Sequence, residues 1–450
     1  VSSQRQPENC PPGGGRSGAS SPAAGPGAPG WPRSLQILVK PSGSACNLRC
    51  DYCFYLDKSR LYPDVAAAAM RMDPRVHESF VDQLMDGQLP GAGVTISWQG
   101  GEPTLMGLDF FRRAVRYARE RAPTGAPVGF TLQTNGTLLD AEWCRFLRDE
   151  QVLVGLSVDG PPELHDTYRR DARGRGTFAR VARAAELLKE HEVDVNALCS
   201  VHAANAEHPR EVYAFLRDDL GMDWIQFIPI VERVNDDGST LLQQGSRVTG
   251  RSVSPNSWGA FLLAVFDDWL QTDVERVHVS IFESAFASWV GVPALMCVFA
   301  ETCGEAPVLE HNGDLYACDH FVEPDHLLGT ITETPLRELV ASDQQRRFGA
   351  AKRDALPRVC RECDVRFACN GECPKNRFVP APDGEPGLNY LCEGYAAFFR
   401  GIDAPMRLMA RLYRAGRAPA EVMRLLPPGF SVTPSDDGAD AAAPHREPPP

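Results

Sequence analysis

The stretch "CNLRCDYCFY", Cys46 to Tyr55, holds three cysteines within eight residues, separated by three and then two positions. Thiolates spaced this way sit on a tight turn and can face one centre, and soft sulfur donors select zinc, copper(I) or iron–sulfur clusters. A structural zinc site closes four positions, whereas Cys46, Cys50 and Cys53 close three. A [4Fe–4S] cluster held this way keeps one iron free to take a substrate or cofactor. Cysteines return toward the C-terminus as Cys297, Cys303, Cys318, Cys360, Cys363, Cys369, Cys373 and Cys392, enough for two complete four-thiolate sites. For "CRECDVRFACNGEC" taken alone, zinc and iron–sulfur ligation are equally compatible. The remaining cysteines are Cys10, in a Pro/Gly/Ser-rich stretch, and Cys144 and Cys199, on a predicted helix and strand where a small buried hydrophobe is expected.

These residues need a scaffold. Short β-branched runs at 35–39, 94–98, 128–132, 153–158, 193–201 and 224–231 alternate with amphipathic segments predicted as helices over 74–85, 109–119, 140–148, 178–190 and 209–218. Such a repeat builds a parallel sheet that curls, with too few strands to close as an eight-fold barrel. Ligands of such sheets bind at the C-terminal strand ends. "CNLRCDYC", "QGGEPT", "QTNGT" and "SVDGP" follow the first four strands, so all four are predicted to face one mouth. Residues 232–257 read as a polar loop, with helices expected over 258–270 and 282–290 and another near 405–413.

The chain has 450 residues, 43% of them hydrophobic, and a net charge of −13, which offers no overall basic character for nucleic acid. No apolar run reaches the length of a membrane span, and the first residues lack the apolar core of a signal peptide, so a cytoplasmic, reducing location is expected. Fourteen cysteines in that setting read as metal ligands rather than disulfides.

Cys-x3-Cys-x2-Cys followed by an aromatic resembles the radical S-adenosylmethionine (AdoMet) superfamily. Together with "WQGGEPTL", "LQTNGTLL", "VGLSVDGP", "GTF" at Gly176 to Phe178, "YACDHF" and "LNYLC", the pattern resembles the anaerobic sulfatase-maturating enzymes over about residues 35 to 400. The resemblance implies an α/β fold: a partial (βα)6 TIM-like barrel of radical SAM type with a C-terminal cysteine-rich SPASM domain. The expected divisions are a disordered tail 1–33, barrel 34–231, linker and helices 232–290, SPASM domain 291–400, helical extension 401–426 and disordered tail 427–450.

The resemblance also implies AdoMet and three [4Fe–4S] clusters. Cys46, Cys50 and Cys53 would hold the first, Cys297, Cys303, Cys318 and Cys373 one auxiliary cluster, and Cys360, Cys363, Cys369 and Cys392 the other. Tyr52, Gly100, Gly101, Ser157, Arg169 and Val231 match AdoMet-contacting positions, and Tyr55 and Gln99 match residues lining the substrate cleft. For Arg169 the bland alternative is a surface arginine. The two glycines have a backbone reason as well, since lack of Cβ lets the strand edge approach a ligand closely. Asp319 matches the family's base, its alternative being an exposed turn aspartate; neighbouring His320 titrates nearer neutrality. The implied reaction oxidises a cysteine or serine of an unfolded or nascent sulfatase, within Cys-x-Pro-x-Arg or Ser-x-Pro-x-Arg, to Cα-formylglycine through a 5′-deoxyadenosyl radical. A flavodoxin- or ferredoxin-like protein would supply the electron; no nucleic acid or membrane partner is expected. A SPASM-type maturase forming thioether or carbon–carbon crosslinks in a ribosomal precursor peptide is the alternative. A plain electron carrier is disfavoured by the open three-cysteine loop.

Overall fold

The structure is a computed structural model that describes residues 36–66, 69–87, 93–123, 126–240, 243–427 and 429–432. The expectation of a disordered tail at 1–33 lies outside these residues, as does most of that at 427–450.

Six parallel strands form the centre: β1 (Ile37–Val39), β2 (Val94–Trp98), β3 (Val128–Thr134), β4 (Val152–Ser157), β5 (Val195–Val201) and β6 (Trp224–Pro229). Helices α1 (Pro74–Gly87), α2 (Leu108–Arg121), α3 (Ala141–Asp149), α4 (Pro162–Tyr168), α5 (Phe178–Glu190) and α6 (Pro209–Ala214) connect them. This is the partial (βα)6 barrel expected from the alternation. Helix α4, only seven residues long, has no counterpart in the sequence reading.

The sheet is longer than six strands. A short ribbon, β7 (Arg233–Val234) with β8 (Arg247–Val248), follows β6, and then β9 (His278–Val279) adds to the β6 edge in parallel. At the other edge β10 (Val308–Leu309) lies parallel to β1, followed antiparallel by β11 (Asp314–Tyr316) and β12 (Leu327–Thr330). The order is β12-β11-β10-β1-β2-β3-β4-β5-β6-β9. The C-terminal region is therefore joined to the barrel by backbone hydrogen bonds along β1.

Side-chain packing builds the core behind the sheet. Trp98 stacks on Phe130 with ring centroids 5.4 Å apart and meets Phe111 edge-on at 5.1 Å. Cys144 and Cys199 are buried hydrophobes in this core. The expected linker 232–290 also contributes to this core. Helix α7 (Pro255–Thr272) buries Trp258, Phe261, Phe266 and Trp269, and α8 (Ser280–Val290) buries Phe282 and Trp289. Gly259 on α7 faces Gly394 of the helix Cys392–Gly401, where a Cβ would come within 2.8 Å of the facing Cα. Beyond Pro427, Phe430 and Val432 pack against the same core, and buried Asp267 accepts from the Val432 N–H at 3.1 Å and the Ser431 hydroxyl at 2.9 Å. These contacts tie residues 430–432 to α7, where Arg210 also pairs with Asp267. Among the described residues no helix is long and apolar enough to cross a membrane.

The turn after β2 locks the turn after β1 in place. Gly101 N–H donates to the Gly43 carbonyl at 2.9 Å and Glu102 N–H to that of Ala45 at 2.8 Å. A Cβ on Gly101 would lie 2.1 Å from the Ala45 carbonyl oxygen. Gly101→Ala is therefore expected to cost about 1–3 kcal/mol by overpacking and to lower the thermal midpoint seen by circular dichroism. Gly129→Ala, whose new Cβ would meet its nearest neighbour at 3.4 Å, should change that midpoint little.

Candidate active site at the strand ends

The three-cysteine loop is clamped on two sides. Besides the Gly101 and Glu102 bonds, Arg49 N–H donates to the Arg170 carbonyl at 2.7 Å and Asp51 N–H to the Tyr168 carbonyl at 3.0 Å. Within the loop the Leu48 N–H lies 3.3 Å from the Cys46 sulfur. Burial, with the charges of the neighbouring thiols adding to it, pushes Cys46 and Cys50 up to about 12, and burial pushes Cys53 up as well. Thiols that resist ionisation when empty become thiolates when a cationic centre binds between them. Among the described residues no fourth cysteine joins this group, which suits a cluster with one open iron. Beside it opens a cavity of about 720 Å³ whose lining includes Ser42, Ser44, Cys46, Asn47, Met70 and Met106. Its setting suits a polar ligand too. Ser42 Oγ on its wall is buried without a hydrogen-bond partner; at the neighbouring strand ends Gln99 Oε1, after β2, and both ring nitrogens of His202, after β5, also lack one, His202 Nε2 lying 3.9 Å from Asp159 Oδ2.

Glu102 organises the adjoining turns. Its buried carboxylate accepts from the Thr104 and Thr134 hydroxyls at 2.6 and 2.7 Å and from the Asn135 N–H at 2.8 Å. Asn135 in turn donates to Asn47 at 2.9 Å, reaching the cysteine loop.

The expected AdoMet contacts lie at the ends of β2, β4 and β6, directly after α4 and on the cysteine loop. Ser157 ends β4, Val231 follows β6, and both are buried. Gly100 and Gly101 press on the Gly43–Ala45 backbone, so their missing Cβ atoms first serve the loop rather than a ligand. Arg169 is 9% exposed, which excludes the surface-arginine alternative. Its Nε lies 2.8 Å from Asp159 Oδ2, and its guanidinium sits 5.6 Å from the Tyr52 ring centre. Tyr52 hydroxyl also donates to Asp159. Burial, the largest single influence, would raise the Asp159 carboxyl, but Arg169, His165 and His202 together outweigh it and hold that carboxyl below the usual range. Asp159, which ties Tyr52 to Arg169 and accepts from the Ser200 N–H at 2.9 Å, was not singled out from "SVDGP".

A second charged group lies where the barrel meets the C-terminal region. Lys40, directly after β1 and 1% exposed, places Nζ 2.5 Å from Asp319 Oδ1 and 4.3 Å from the Tyr55 ring centre. Tyr55 hydroxyl donates to buried Glu310. The Asp319 side chain is 13% exposed, so it is no exposed turn residue. Burial opposes its ionisation, yet Lys40 and His320 prevail and hold its carboxyl below the ordinary value. His320 is taken by burial, and then by Lys375, down to about 4, and its Nδ1 lies 3.2 Å from the Cys373 sulfur. The expected near-neutral titration of His320 is thereby corrected. Lys40 and Glu310 escaped sequence reasoning. The one signal was a lysine closing an otherwise apolar strand.

The later cysteines sort into two neighbourhoods. Burial raises all eight thiols, and the secondary influences show who is near whom. Cys297 and Cys303 act on Cys318, while Cys318 and Cys303 act on Cys373. Cys363 acts on Cys360, Cys392 and Cys363 on Cys369, and Cys360 and Cys363 on Cys392. Among the described residues every cysteine is a free thiol, and no three Cys, His, Asp or Glu side chains converge as a single-ion site.

Comparison with known proteins agrees with this geometry. Residues 41–216 match the radical SAM superfamily and residues 301–364 an iron–sulfur cluster-binding domain, SPASM. A serine-type anaerobic sulfatase-maturating enzyme of Bacteroides thetaiotaomicron is 42% identical over 88% of this chain and 96% of its own length. A cysteine-type counterpart from Clostridium perfringens is 32% identical over 81% of this chain and 95% of its own. The solved structure of native anSMEcpe with bound AdoMet and Cp18Cys peptide superposes with a TM-score of 0.73 at 30% identity, covering 84% of this chain and 99% of that one. Bearing a three-thiol loop on a partial barrel and two further cysteine groups beyond it, the chain belongs to the anaerobic sulfatase-maturating enzymes of the radical SAM superfamily.

Proposed function

We propose that this chain oxidises a serine or cysteine side chain of an unfolded or nascent sulfatase polypeptide to Cα-formylglycine. The observation that carries the reading is the Lys40–Asp319 pair, which keeps a carboxylate beside Cys318 at the mouth bearing the three-thiol loop. The relatives' names support it over the crosslinking alternative, and a serine peptide is the first to test because a serine-type relative reaches 42% identity.

AdoMet bound with a [4Fe–4S] cluster supplies a 5′-deoxyadenosyl radical able to remove a hydrogen atom from Cβ of the target residue. Cys46, Cys50 and Cys53 would hold that cluster, and Tyr52, Gly100, Gly101, Ser157, Arg169 and Val231 would hold AdoMet. Tyr55 and Gln99 line the substrate cleft, with the unpartnered Gln99 Oε1 available to a peptide donor. Asp319, ionised and steadied by Lys40, accepts the proton that leaves the target hydroxyl or thiol as the second electron departs; a serine then carries the aldehyde directly, and a cysteine carries a thioaldehyde that water hydrolyses to it with loss of hydrogen sulfide. Cys297, Cys303, Cys318 and Cys373 would hold one fully ligated cluster and Cys360, Cys363, Cys369 and Cys392 another, and these would supply an acceptor for that electron. A flavodoxin- or ferredoxin-like protein of the reducing cytoplasm supplies the first electron.

Three clusters imply about twelve irons per chain after anaerobic reconstitution. Changing Cys46, Cys50 and Cys53 together to Ala should remove about a third of the iron and end AdoMet cleavage; tightly bound zinc with little iron would contradict the cluster count.

A peptide with the Ser-x-Pro-x-Arg pattern should gain an aldehyde, seen by hydrazone trapping, only with AdoMet and reductant and without oxygen. Asp319→Asn should slow aldehyde formation roughly 10²- to 10⁴-fold while AdoMet cleavage continues. Undiminished oxidation would remove Asp319 from the reaction, and a crosslinked peptide without aldehyde would favour the alternative maturase.

A further inference from the structure

Lys352 lies on the helix Asp343–Asp354 and is 1% exposed. Its Nζ donates to the carbonyls of Cys297 and Val298 at 2.8 and 2.9 Å, and it takes part in no ion pair among the described residues. A neutral donor would satisfy two carbonyls. The charge needs its own account, because a buried ammonium is costly unless an opposite charge faces it. Beyond burial, the groups that act on Lys352 are the thiols of Cys303, Cys373 and Cys297 and then Glu372. Burial raises the Glu372 carboxyl, and its Oε2 accepts from the side-chain amides of Asn376 and Asn389 at 3.2 and 2.6 Å. Three thiols of one expected cysteine set are thus the partners that become anionic when a cluster binds.

The second set is surrounded differently. Arg361 and Arg366 act on Cys360, and Arg400 acts on Cys363 and Cys392. Arg361 and Arg400 are exposed and paired with Glu385 and Asp364, and Arg366 is partly exposed, so water and carboxylates weaken their influence. Asp364 also adds negative charge beside Cys363. Arg377 faces Cys360 of this set and Cys373 and Cys303 of the other, so it separates the two little. Near the first set, Asp319 is tied to Lys40, and Lys375 adds a cation toward Cys373 and Cys318. The fully buried cation, Lys352, lies with the first set.

We infer that Lys352 is the counter-charge of the centre held by Cys297, Cys303, Cys318 and Cys373 and makes that centre the more readily reduced of the two. This rests on the proposed function. A positive charge in a low-dielectric setting stabilises the form of a thiolate-ligated cluster that carries one more electron. The target radical loses one electron as its proton goes to Asp319, and the centre beside Asp319 gains that electron; Lys352 exchanges neither. Lys352 is therefore a positioning residue for the electron, not a catalytic one.

The test is an anaerobic redox titration, followed by electron paramagnetic resonance, of the full reconstituted chain carrying Cys46→Ala, Cys50→Ala and Cys53→Ala, which leaves the two later clusters. Lys352→Gln should shift the higher of the two midpoints roughly tenfold toward the oxidised form, about 59 mV for one electron, and leave the lower in place. Lys352→Met, which lacks the donor as well, should give the same shift, and Lys352→Arg should stay near the parent. Neutral variants that bind half the parent's iron while Lys352→Arg binds all of it would likewise support the counter-charge. Unmoved midpoints, equal movement of both, or the same change in all three variants overturns it. Iron well below about eight per chain in the parent with Lys352 intact would instead overturn the cluster reading on which the proposal rests.

Discussion

Lys40 and Asp319 are two opposite charges taken almost wholly out of water at the junction of the barrel and the C-terminal region. Each makes the other's burial tolerable: removing one partner of such a pair typically costs about 3–5 kcal/mol because the other charge stays buried and alone. The pair is fixed at both ends by backbone. Lys40 N–H donates to the Leu309 carbonyl at 2.8 Å, continuing the β1–β10 ladder, and Asp319 follows Cys318 just past β11. The same junction positions Tyr55 through Glu310 and His320 against Cys373. The carboxylate at the barrel mouth is thus supplied by a region some 280 residues further along the chain than the lysine that holds it.

Charge burial recurs in the cysteine groups with the opposite sense. Burial drives the pKa values of these thiols up by more than nearby cations such as Arg169 and Lys352 draw them down. Cationic clusters are the natural complement, and their binding is coupled to folding of the loops that present the thiols. Around AdoMet's expected place the balance is met by side chains instead, through the Asp159–Arg169 pair and the tyrosine lying against it.

The cysteine loop was legible because its spacing is local: eight residues suffice to state three ligands and one vacancy. The parallel sheet was legible because six strand runs alternate with amphipathic helical segments. Division of the later cysteines into two sets came from the family resemblance, since Cys373 joins Cys318 only after the chain folds back across 55 residues. Lys40, Asp159 and Glu310 were not legible, because a single charged residue looks like surface until tertiary packing buries it. Strands β9 to β12, two to four residues long, are too short to carry an alternation signal. His320 was misjudged for the same reason as Lys40: its titration depends on a burial that sequence does not display.

The central claim is that the hydrogen lost from the peptide is taken from Cβ of the target residue at this mouth. The most direct measurement uses a serine peptide dideuterated at that carbon, with the mass of the 5′-deoxyadenosine and of the peptide read after anaerobic turnover. The account predicts one deuterium in the 5′-deoxyadenosine for each peptide converted, and an aldehyde that keeps the other. Unlabelled 5′-deoxyadenosine formed alongside a modified peptide would contradict it.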